Sequence, residues 1–391
     1  MPPPTRAPAA ALACTVLAVA VLAGCSSGPG DTAEDPSPTA HGYVEGAEET
    51  AEAQWRLVIA DAATGEVFLL DPVTEEPVAV ADVDGARQAA TDGRFAYVSD
   101  GTTTHVIDSG AWTVDHGDHV HYYKTEPRAV GDLDTDVSAS VGDPAVTVVN
   151  GADGPVALDR ESLDAGEIAA TATVEAQAAL PYDQRLLAID DGTVTVLERD
   201  GGGGRALAED CPDPQSPTVT RRGAVFACAD GALLVSGEGD LTAEKIPYPA
   251  GASVDGGLHH RPGTPMLAAR TGDGGVLVLD LKAREWTALD RTAHDLADAV
   301  AVSATGEDSP VLVLTEDGVL RSFDPATGAA LAQTELMAVT DGAAIQVDTA
   351  RAYVSDPEGA AVHEIDYRDE LRLARTFDLD FRPDLMVETG W

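Results

Sequence analysis

The chain has 391 residues, with 67 acidic side chains against 24 basic ones and a formal charge of −43. So negative a surface excludes nucleic acid as a partner and adhesion to anionic lipid headgroups, since both need positive charge. It attracts cations and aids solubility, although acidity alone supports cation handling only weakly.

From the N-terminus, Ala9 to Ala23 is an apolar run preceded by a single Arg6. At about 15 residues it is short for a transmembrane helix and reads as the apolar region of a secretory signal peptide. It ends Leu22-Ala23-Gly24-Cys25, which resembles the lipobox of bacterial lipoproteins. That resemblance implies cleavage after residue 24 and a lipid on Cys25, so the expected location is outside the cytoplasmic membrane, anchored to it by acyl chains alone. Residues 25–54 are rich in Gly, Ser, Pro, Thr and acid, with little to bury, and read as a disordered acidic tether. His41 lies there as a solvated side chain.

Residues 55–391 are expected to form one domain, because a repeat overrides the two or three domains that length suggests. Short runs rich in Val, Leu and Ala alternate with Asp-Gly, Thr-Gly and Gly-Gly turns. Each such pair reads as two strands and a tight turn. Copies begin at Arg56, Phe95, Val137, Arg185, Ala224, Met266, Val311 and Arg351. Spacings of roughly 35–50 residues are those of β-propeller blades, so the fold class is all-β, a single propeller of seven or eight blades with eight favoured. An array of sheet sandwiches is the alternative. A short helical turn is expected over His294 to Val300.

The segment Asp115-His116-Gly117-Asp118-His119-Val120-His121-Tyr122-Tyr123 holds three of the nine histidines within six residues. Neutral imidazole is the commonest metal ligand and suits zinc. In a strand His119 and His121 share a face, and a turn or bulge at Gly117 would swing His116 onto it. A carboxylate from Asp100, Asp115 or Asp118, or a water, would complete the set. The segment falls between the second and third repeats, a position suited to facing the channel of a propeller. His259 and His260 offer a possible second metal contact, but adjacent strand residues face opposite ways, so at most one reaches a given ion. His105, His294 and His363 are isolated; His105 and His363 sit in strand patterns and read as packing residues.

Cys211 and Cys228 pair most simply as a disulfide in an exported chain, worth roughly 3 kcal/mol by loop closure. A two-thiolate zinc site is the alternative. Gly201 to Gly204 lacks the lysine and helix of a phosphate loop and reads as a turn. No nucleophile constellation is present, so catalysis is not expected.

Trp112 to Tyr123 resembles the histidine segment of AztD-type zinc metallochaperones, and further matches to that family are Pro181-Tyr182-Asp183-Gln184-Arg185-Leu186-Leu187, Cys211-Pro212-Asp213, Phe226-Ala227-Cys228-Ala229-Asp230-Gly231 and His259-His260-Arg261-Pro262-Gly263. The resemblance runs from about Leu57 to Asp380. It implies an exported propeller, acting as a monomer, that binds one Zn²⁺ and delivers it to the solute-binding protein of a zinc ABC importer. Family histidines before Pro181 and after Cys211 are replaced here by Val174 to Leu180 and by Gln215-Ser216, so the first zinc site is intact as sequence and a second one, with its transfer route, is left open. A non-metal scaffold docking another envelope protein is the competing function.

Overall fold

The computed structural model describes residues 44, 46–294 and 296–391. The expected leader 1–24, lipidated Cys25 and His41 lie outside the described residues. Within them the chain is all-β, with eight four-stranded sheets and one three-stranded sheet. The two helices described are short, at Arg160–Ala165 and Arg291–His294. The second takes the place of the helical turn expected over His294 to Val300.

The two middle strands of each four-stranded sheet are those the apolar runs announce. They are Arg56–Ala60 with Glu66–Leu70, Phe95–Ser99 with Thr104–Asp108, Val146–Gly151 with Gly154–Asp159, and Arg185–Asp190 with Thr193–Leu197. Gly223–Cys228 with Gly231–Ser236, Met266–Thr271 with Val276–Asp280, Val311–Thr315 with Val319–Phe323, and Ala352–Asp356 with Ala361–Asp366 complete the series. Such strands are buried on both faces because a neighbouring sheet packs on each side; Arg56–Ala60, Phe95–Ser99 and Val311–Thr315 are buried throughout. Their turns follow local chemistry. Asp190 pairs with Thr193, and between them Asp191 and Gly192 both have positive φ, as a two-residue hairpin turn of the right twist requires.

The core is a series of seams. Val58, Val67 and Val387 of one sheet meet Ala96, Val98 and Ile107 of the next, and comparable clusters lie between later sheets. The first strand of each sheet lies against the first strand of the next, in the order Gln88–Thr91, Val137–Gly142, Ala178–Tyr182, Gln215–Thr220, Val254–His259, Ala299–Ala304, Ile345–Val347 and Leu385–Thr389. The last of these touches Gln88–Thr91, which returns the series to its start. Strand Leu385–Thr389 is also the inner strand of the first sheet, pairing Arg56 with Thr389 and Ala60 with Leu385. These inner strands enclose a cavity of about 350 Å³, lined among others by Ser140, Thr218, His260, Ser303 and Glu388. This is the arrangement of a propeller around its channel.

The three-stranded sheet stands apart. It consists of Glu48–Thr50, Val120–Lys124 and Ala111–Asp115, with Val120–Lys124 in the middle. Residues 48–50 fall inside the segment read as a tether, yet they form its edge strand.

Candidate metal centre

The histidine segment forms a hairpin inserted between the third strand of the second sheet, Thr104–Asp108, and its outer strand, Arg128–Leu133. It therefore interrupts a blade near its outer edge. The channel-facing position expected from the repeat spacing is not the one it takes, and none of its residues lines the central cavity.

The root of the hairpin is fixed firmly. Trp112 stacks on Tyr123 with ring centroids 5.2 Å apart, and the Arg94 guanidinium lies 3.8 Å from the Trp112 centroid. Arg94 is itself held by two hydrogen bonds of 2.9 Å to buried Asp108. Such a charged plane on an indole face is worth about 0.5–2 kcal/mol. Thr113 Oγ1 donates to the carbonyl of Gly390 at 2.8 Å, tying the hairpin to the chain's last residues.

At the tip, Val114 pairs with His121 and Asp115 with Val120. The amide of His116 donates to the carbonyl of His119 at 2.9 Å, leaving Gly117 and Asp118 at the bend. Gly117 has φ +86°, a conformation that favours glycine, and Asp115 Oδ1 accepts from its amide at 2.7 Å. Asp115 is thus a turn-closing residue. Facing residues in an antiparallel pair share a side of the sheet, so His116 stands opposite His119, with His121 two residues along. A tight turn, not a bulge, aligns the three.

His116, His119 and His121 form the one group of metal-capable side chains found among the described residues, with one donor atom from each lying within 4.8 Å of the others. Their ring centroids are 4.9, 5.3 and 4.9 Å apart. Three nitrogens bound to one tetrahedral zinc at about 2.0–2.1 Å stand roughly 3.3 Å from one another. Modest side-chain rotations close that difference. His121 is buried, whereas His116 and His119 are exposed, so the cluster has one anchored ring and two at the rim.

Two carboxylates grip the rings from outside. Asp118 Oδ1 lies 2.7 Å from Nδ1 of His119, and Glu49 Oε1 lies 2.7 Å from Nδ1 of His121. A carboxylate only accepts, so each Nδ1 carries the hydrogen and Nε2 becomes the ligating nitrogen. This is how metal-binding histidines are commonly oriented, and such partners typically change metal affinity 10–100-fold. Asp118, expected as a fourth ligand, orients His119 here. Glu49 was missed in the sequence because it lies 72 residues before His121, in a stretch with the composition of a solvated linker.

Asp100 closes its own turn. Its Oδ1 accepts from the Thr102 amide, the Thr102 hydroxyl and the Thr103 amide at 2.7–2.8 Å, and these bonds, the Thr103 amide foremost, hold its carboxyl down at about 2. It takes no part in the cluster. His259 and His260 line the central cavity. Nε2 of His259 donates to the Gly256 carbonyl at 3.0 Å, and Nδ1 of His260 to the Arg261 carbonyl at 2.7 Å, while Nε2 of His260 accepts from the Thr218 hydroxyl at 2.9 Å. Desolvation holds the half-buried His260 at about 4, so that ring is neutral. His105 sits 2.8 Å from Asp132, His294 bonds the Gly328 carbonyl, and His363 bonds Thr376; none of the three joins the cluster.

Cys211 and Cys228 are joined, with Cα atoms 5.1 Å apart, which rules out the two-thiolate zinc site. The bridge links the end of one sheet's outer strand to a middle strand of the next, and it marks an oxidising compartment. No helix among the described residues is long and apolar enough to cross a membrane.

Fold and site together define an all-β, propeller-type protein carrying a three-histidine cluster on an inserted hairpin. Among solved structures, it is similar to AztD from Citrobacter koseri, with TM-score 0.70 at 18% identity, covering 86% of this chain and 98% of that one. The apo form of the same protein gives TM-score 0.71 at 17% identity with the same coverage. The dihydro-heme d1 dehydrogenase NirN is more distant, with TM-score 0.53 and 13% identity over 86% of this chain and 75% of that one. The chain therefore has an AztD-type fold. No protein-family model and no curated protein matches the sequence.

Proposed function

We propose that this chain is an extracytoplasmic zinc metallochaperone, an eight-bladed monomeric propeller tethered through lipidated Cys25. It binds one Zn²⁺ through His116, His119 and His121 and delivers it to the solute-binding protein of a zinc ABC importer. The observation that carries this reading is the convergence of those three imidazoles within 4.8 Å. The AztD-type fold and the cyclic succession of inner strands support it.

The chemistry suits a cargo better than a resident ion. Three neutral nitrogens leave one position of a tetrahedral zinc to water or to an incoming side chain. Two of the three rings are exposed, so a partner's ligands can reach the ion and replace them one at a time. The negative surface raises the local concentration of cations.

The test is metal analysis of protein purified without a histidine tag. We expect about one zinc per chain, its loss in a His116→Ala, His119→Ala, His121→Ala variant, and transfer from the wild-type protein to the apo solute-binding protein. A variant that retains the wild-type zinc content would overturn the assignment.

A further inference from the structure

Resting on that zinc-binding reading, we propose that Glu49 is a positioning residue for the metal centre, and that edge strand Glu48–Thr50 is a detachable clasp whose docking sets how tightly zinc is held. Strand Glu48–Thr50 pairs with the strand that carries His121, in the register Glu48 with Lys124, Glu49 with Tyr123 and Thr50 with Tyr122. Facing residues share a side of the sheet, so Glu49 stands with Tyr123 and, two residues along, with His121. Its Oε1 reaches Nδ1 of His121 at 2.7 Å. The opposite side of the strand carries the Glu48–Lys124 ion pair, at 3.5 Å. Metal-facing and structural contacts thus lie on different faces of one three-residue strand.

The two carboxylate–imidazole contacts differ in how they are supplied. Asp118 is the sequence neighbour of the ring it holds and stays beside it whatever the rest of the chain does. Glu49 is present only while the edge strand is docked. That strand is three residues long and lies at the margin of a three-stranded sheet, where opening costs little. Undocking removes the acceptor that fixes the tautomer and orientation of His121, the buried ring of the three. Zinc is then held by a less ordered set and leaves faster. Docking restores the grip. A partner that pulls on or pairs with this segment would thereby promote release of the cargo at the moment of contact.

The experiment uses the full-length chain and zinc alone, with a chromophoric chelator as acceptor. Glu49→Ala should raise the zinc dissociation rate by about 10–100-fold, the range for removing such a partner. Glu49→Gln keeps an amide oxygen as acceptor and should recover much of that loss. Melting temperature of the apo protein should be nearly unchanged in both, which separates positioning from folding. A disulfide between Glu48→Cys and Lys124→Cys, on the face away from the histidines, should lock the clasp and slow dissociation below the wild-type rate; reduction should reverse it. Wild-type dissociation rates in both Glu49 variants and in the locked variant would overturn the clasp. If the wild-type chain retains no zinc at all, the metallochaperone reading fails first, and the two failures are told apart.

Discussion

Replacing Gly117 by alanine tests whether the bend, and not merely the histidines, makes the site. Gly117 has φ +86°, and a Cβ built there meets nothing within 4 Å. Steric clash is therefore absent, and the whole penalty is the backbone strain of a left-handed conformation, about 1–2 kcal/mol for an L-residue. The apo hairpin relieves that strain by opening its tip, which moves His116 away from His119. Zinc must then reclose it, so apparent affinity falls by the fraction of chains in the closed form. At 1.4 kcal/mol per factor of ten, the expected weakening is roughly 5–30-fold. Gly117→Asn, which tolerates this region better, should lose less. Competition titration against a zinc chelator reads both values. Wild-type affinity in Gly117→Ala would refute the argument that the turn aligns the ligands, and loss as complete as that of a triple histidine variant would refute the argument from strain.

Trp112→Ala removes the platform between Arg94 and Tyr123 and should weaken zinc binding while leaving one zinc per chain at saturation; a changed stoichiometry would count against a purely supporting role. Cys211→Ser with Cys228→Ser should cost about 3 kcal/mol, the worth of closing a loop of this length, and should leave zinc content untouched; thermal melts and metal analysis check both. Glu388→Gln probes the channel wall. Burial, with Asp348 adding to it, raises the Glu388 carboxyl well above its usual range, and its Oε1 is without a hydrogen-bond partner. The folded chain therefore keeps a proton there that the unfolded chain loses above about pH 4.3, so the stability this proton confers is present in acid and fades as pH rises toward the folded value. Glutamine does not ionise, and the melting temperature of the variant should rise relative to wild type as pH increases from about 4 to about 7. A gap independent of pH would contradict this.

Buried middle strands were legible because each is a run such as Val311-Leu312-Val313-Leu314, enclosed on both faces and closed by a glycine turn. Outer strands were not. Pro77–Asp82 and Arg205–Asp210 are largely exposed, and their residues resemble those of loops. The histidine trio was visible since its members are neighbours in sequence, and even the bend at Gly117 could be named. Its place in the blade could not be, because spacing alone does not separate a link between repeats from an insertion before an outer strand. Glu49 was hidden for a different reason. Its value comes from pairing across 72 positions, and nothing local distinguishes it from the other acids around it. Asp100 and Asp118 look alike in sequence, yet backbone amides hold the one and the His119 ring the other, a distinction that only the fold makes.

The seam at which Leu385–Thr389 zips onto Arg56–Ala60 gives this molecule an order of assembly. The first sheet lacks its innermost strand until Leu385–Thr389 has been made, and Thr113, at the foot of the histidine hairpin, waits for Gly390 in the same way. Removing Leu385 to Gly390 would thus take away both that strand and the anchor of a hairpin encoded hundreds of positions earlier. Under the zinc-binding reading proposed above, the competence of the histidine hairpin would report that synthesis had reached Gly390.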